Sequence, residues 1–166
     1  MKRKIVALLA ALLCGALCLG LAACGKEGPA EGPQAVAEAI FNAPNEELFS
    51  LDAASSIGLG VEQKPEEQKK AEEANQQMMA NWESSLGKYF APNCLKPAIA
   101  SDGILQFLAQ CAMNGQKSTV NSVELSEEGE LYQNLMVHYT LDGEEKEALV
   151  KFSLDKDGLI TRVIID

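Results

Sequence analysis

Between Leu131 and Leu154 the sequence alternates with a period of two on both sides of Asp142-Gly143. An Asp-Gly pair flanked by alternating apolar residues is a strong signal for a two-residue hairpin, because both turn positions need positive φ. Strand side chains point alternately to opposite faces, so the turn also decides which residues share a face. Leu141 should pair with Glu144, Leu135 with Val150 and Val137 with Ala148, which gives one apolar face. The other face sets His138 opposite Glu147, Asn134 opposite Lys151 and Met136 opposite Leu149, and it is mixed rather than plainly solvated. A chain with this hairpin must build an antiparallel sheet and cover its apolar side.

The flanking segments extend the pattern. Ser118–Ser126 predicts a preceding strand, with Val123 and Leu125 in phase and Val120 out of phase. Asp155-Lys156-Asp157-Gly158 predicts a tight turn and Leu159–Ile165 a last strand, completing a four-stranded meander. Before Gly115 the apolar period is helical. A first helix should begin at Pro33, with Val36, Ile40 and Ala43 on one side, and a short second helix over Glu46–Ala54 should bury Leu48, Phe49 and Leu51. A long helix should run from Pro65 to about Ser85; its first half, to Gln77, is charged and polar, and its apolar side begins at Met78, Met79, Trp82 and Leu86. After a connection from Pro92 to Pro97, Ser101-Asp102 should cap a helix bearing Ile104, Phe107, Leu108 and Cys111, which Asn114-Gly115 closes. The expected fold class is α+β: N-terminal helices packed on a curved C-terminal antiparallel sheet of about four strands.

The other end of the chain carries a different signal. Met1-Lys2-Arg3-Lys4 opens an uncharged run from Ile5 to Ala23, which ends in Leu21-Ala22-Ala23-Cys24. These four residues resemble the lipobox of bacterial lipoprotein precursors, with small residues just before the cysteine that receives the lipid. The resemblance implies a signal peptide over 1–23, acylation of Cys24, a tether over 24–33 and a domain over 34–166. It places the domain on the extracytoplasmic face of the cell membrane, lipid-anchored through Cys24. The run is long for a secretory h-region, so an uncleaved signal anchor is the alternative. Removing the leader takes 3 of the 14 basic residues and none of the 24 acidic ones, leaving 11 against 24, a net charge of −13. Such a surface offers no basic stripe to nucleic acid and is repelled by anionic lipid.

Two cysteines remain beyond Cys24. Cys94 and Cys111 could bridge in an oxidising compartment, which would stabilise the domain by about 3 kcal/mol. Alternatively they are two separate buried thiols, since Cys111 falls on an apolar helical face. They do not make a zinc set with the single histidine, and no other metal or cofactor is expected. Asp155-Lys156-Asp157-Gly158 places its glycine too early for a calcium-binding EF-hand loop. A Gly-x-Ser-x-Gly nucleophile elbow and a phosphate loop are both absent from the sequence.

Helices first and a bent antiparallel sheet last resembles the nuclear transport factor 2-like fold, most visibly from Val123-Glu124-Leu125 through Val137–Gly143 to Leu154–Ile160. Enzymes of that fold keep an acid–base pair inside the cone, and the candidates here are His138, Tyr132, Tyr139, Asp102 and Asp52. Two function classes follow. One is a non-enzymatic envelope module that binds a small ligand in the cone, or a protein partner or second copy of itself across the mixed face of Tyr132, Met136, His138, Glu147 and Leu149. The other is a small isomerase- or cyclase-type enzyme using His138 in a cone pocket.

Overall fold

In a computed structural model of the chain, residues 28–56, 65–101 and 103–166 are described. The leader, Cys24 and Asp102 lie outside the described residues. Asp142 and Gly143 take φ of 51° and 89°, the pair of positive values a tight hairpin turn requires. They join β2 (Tyr132–Leu141) to β3 (Glu144–Leu154) in the expected register, with Leu135 opposite Val150, Val137 opposite Ala148 and His138 opposite Glu147. With β1 (Ser118–Gly129) and β4 (Ile160–Ile165) they form one antiparallel sheet in the order β1-β2-β3-β4, which does not close into a barrel.

Val120 is where simple alternation fails. The register shifts between Val120 and Ser122, so Val120 lies opposite Tyr139 while Val123 lies opposite Val137. The extra residue, Asn121, returns Val120 to the apolar face. A second shift between Leu125 and Glu127 bends the strand again. The two bulges and the glutamates at 124, 127 and 128 also make β1 a poor template for another strand.

Among the described residues five α-helices precede the sheet: α1 (Glu31–Phe41), α2 (Leu51–Ser56), α3 (Pro65–Leu86), α4 (Leu95–Ser101) and α5 (Ile104–Asn114), with a 3₁₀ turn at Gly87–Tyr89. They cover the apolar sheet face, where Leu135, Val137, Val150, Phe152, Ile160 and Val163 are fully buried. Phe41 of α1 and Phe107 of α5 stack around Tyr139, with ring centroids 4.9 and 5.7 Å from it. Trp82 of α3 is fully buried, and its indole N–H donates to the Leu48 carbonyl at 2.7 Å. That bond satisfies the indole's one polar atom inside the core and fixes the chain before α2 against α3.

Several helical expectations shift. α1 starts at Glu31, ahead of Pro33 and inside the expected tether. The second helix starts at Leu51 rather than Glu46, because residues 46–48 form a turn in which the Asn45 side chain accepts from the Leu48 N–H at 3.2 Å. Leu48 and Phe49 are buried, but Leu51 is 51 % exposed. The Pro92–Pro97 connection contains the start of α4, in whose first turn Pro97 needs no helical N–H partner. α5 is preceded by Gly103 at φ 81°, with no side-chain cap bond. Its other end closes as expected: Gly115 is left-handed and the Gln116 N–H reaches the Cys111 carbonyl at 2.8 Å. Leu131 lies outside β2 and is 50 % exposed, so it does not join the apolar face.

Candidate functional site

The sheet face away from the helices carries the residues of the contact-face expectation. Alternation in β2 sends Tyr132, Asn134, Met136, His138 and Thr140 outward, and the register sets Glu147, Leu149 and Lys151 of β3 beside them. Met136 and Leu149 face each other at its centre, and Ile164 of β4, opposite Lys151, adds a third apolar side chain on the diagonal. All three are half-buried and stand apart from the core that the described helices cover. Glu124, Glu127, Glu145 and Glu147 stand exposed around them. On the far side Lys151 pairs with the Asp166 carboxylate, and Arg162 of β4 is exposed on the same face.

His138 belongs to this open face. Its side chain is 37 % exposed, and Nδ1 stands 4.0 Å from a Glu147 carboxylate oxygen that is itself well exposed. That separation is too long for a hydrogen bond. The other candidates for acid–base work do not join it. Tyr139 points to the opposite face, where burial raises its phenol above the usual range. Tyr132 sits at the end of β2 and donates to Glu127 at 2.9 Å, a bond that favours the protonated phenol and raises it as well. Asp52 lies on α2 and is exposed. The expected constellation is therefore distributed over both sheet faces and a helix, and His138 is not beneath the sheet.

Cys94 and Cys111 are separate free thiols. Cys94 is half-buried just before α4, while Cys111 is buried on α5. Burial, then the nearby Asp142 carboxylate, pushes the Cys111 thiol above its usual value, which makes it a poor nucleophile. Among the described residues no group of three His, Cys, Asp or Glu side chains could hold a metal ion, and no helix is long and apolar enough to cross a membrane.

Sequence reasoning did not find a groove of about 750 Å³ on the helical side. One flank is the Pro44–Asp52 segment and the other is the end of α5 with Gly115–Lys117. Phe49, Leu108 and Cys111 are its buried apolar members, and Glu46, Asp52 and Lys117 its charged ones. Residues some sixty positions apart meet here because Ala43 and Ser118 exchange backbone hydrogen bonds of 3.1 and 2.8 Å. The Ser118 hydroxyl also donates to the Phe41 carbonyl at 2.6 Å. No local periodicity signals such a closure. Comparison of the chain with protein families, with curated proteins and with solved structures finds no match.

Proposed function

We propose that the protein is a non-enzymatic interaction module of the cell envelope, held at the extracytoplasmic face of the membrane by lipid on Cys24. Its partner is a protein with a basic surface that docks on the outer face of the sheet. The observation that carries the reading is the half-buried trio of Met136, Leu149 and Ile164, set apart from the core that the described helices cover and rimmed chiefly by exposed glutamates. An apolar centre with a charged rim is the anatomy of a protein contact. The glutamates of the rim and the net charge of −13 that remains without the leader favour a cationic partner and oppose a second copy. Helices followed by an open four-stranded sheet support a nuclear transport factor 2-like arrangement, and Ala22-Ala23-Cys24 after the apolar run supports the anchor. The outward, solvated His138 weighs against the enzyme reading.

Two measurements test this. Mass spectrometry of the membrane-extracted protein should find acylated Cys24 as the first residue; retention of Met1–Ala23 would remove the anchor. A photo-crosslinking residue at Met136 in the whole chain, in intact envelopes, should join it to a different protein. Leu149→Lys and raised salt should both abolish the product. Crosslinks only to a second copy, or none at all, would sink the docking reading.

A further inference from the structure

We propose that the groove between the Pro44–Asp52 segment and the end of α5 binds a short zwitterionic peptide with apolar side chains. The site lies on the helical side of the domain and is independent of the outer sheet face. At about 750 Å³ its volume falls in the usual range of small-ligand sites. Its apolar members are held by the core: Phe49, Leu108 and Cys111 are at most 6 % exposed. They form a rigid backing, and a ligand side chain would meet the apolar groups that stand open over it: Leu51, 51 % exposed, with Pro44 and Ala112.

The charges select the ligand class. Glu46 comes from one flank and Lys117 from the other. Neither pairs its charged group with another described side chain, whereas Lys146, Lys151 and Lys88 each have a carboxylate partner. Lys117 is held in place through its backbone, since its N–H donates to the Asp142 carboxylate at 2.8 Å and its carbonyl accepts from the Asp142 N–H at 2.9 Å. An anionic amphiphile would meet Lys117 but also Glu46, Asp52 and the acidic surface. A cationic one would leave Lys117 facing like charge. A molecule with an ammonium at one end, a carboxylate at the other and apolar side chains between matches both charges and the floor. A short apolar peptide has that chemistry.

The test uses leucyl-leucine as the probe, in equilibrium dialysis against the whole chain in detergent micelles, with empty micelles as the blank. Octanoate and octylamine serve as single-charge probes of similar apolar content. Leucyl-leucine should be retained above the blank and more strongly than either control. Lys117→Glu and Glu46→Lys, both at exposed positions and checked for unchanged circular dichroism, should each weaken retention by about tenfold, as attraction becomes repulsion. Three outcomes would overturn the proposal: no retention of leucyl-leucine, equal retention of octanoate or octylamine, or retention unchanged in both charge variants.

Discussion

The two faces of this sheet are built by the same strands from neighbouring residues, yet they answer to different constraints. On the inner face Leu135, Val137, Val150, Phe152 and Val163 interlock with side chains from the helices, and each is at most 1 % exposed. One strand step away, Met136, Leu149 and Ile164 are equally apolar but stay half in water. Apolar content does not by itself make a core; what the face meets decides it. A residue of the first set holds the domain together, whereas one of the second set is free to meet something else.

The largest expected effect lies on the inner face. Phe152→Ala should cost about 3–5 kcal/mol, combining lost transfer energy with a cavity among rigid neighbours. Chemical denaturation measures it, and a cost near that of an outer-face change would erase the distinction. At the turn that sets both faces, Gly143→Val should cost about 1–2 kcal/mol, because a β-branched residue resists the left-handed conformation. Leu149→Ala should cost about 1 kcal/mol, in keeping with partial burial. His138→Gln should change stability by less than about 0.5 kcal/mol, as an exposed position without a hydrogen bond would.

Two tyrosines refine the contrast by titration. Both phenols are raised in the folded state, Tyr139 chiefly by burial and Tyr132 chiefly by its hydrogen bond to Glu127. A group raised on folding stabilises the protein below its unfolded value and loses that contribution as pH rises through the folded value. Each therefore opposes alkaline unfolding less and less as the phenol ionises. Glu127→Gln should return Tyr132 toward the ordinary tyrosine range and leave Tyr139 raised, read by ultraviolet absorbance. A common shift of both would mean that the faces share one environment.

The hairpin register was legible because two independent local signals, alternation and Asp142-Gly143, agree on the same pairing. α5 was legible for a similar reason: Ile104, Phe107, Leu108 and Cys111 repeat at helical spacing before a left-handed Gly115. Val120 misled because a bulge is set by the partner strand, and nothing beside Asn121 announces it. α4 was hidden by Pro97, whose cost vanishes in a first helical turn. The outward placement of His138 was readable from its parity with Met136. The groove was not, since it depends on Ala43 meeting Ser118 across most of the helical half of the chain.

The fastening of the first described residues has a directional consequence. The Ala30 N–H donates to the Gln133 side chain at 3.0 Å, and Glu31 accepts from the Tyr89 hydroxyl at 2.6 Å with the Lys88 ammonium 3.7 Å away. Gln133 stands beside the turn from β1 into β2, whereas Phe41, at the other end of α1, is bonded to Ser118 at the opposite end of β1. The molecule therefore has two poles, about 16 Å apart along the 11 residues of α1. The groove and the Asp142-Gly143 turn crown the second pole. The described domain begins beside the first pole, so the anchor proposed above would hold it by the end opposite the groove.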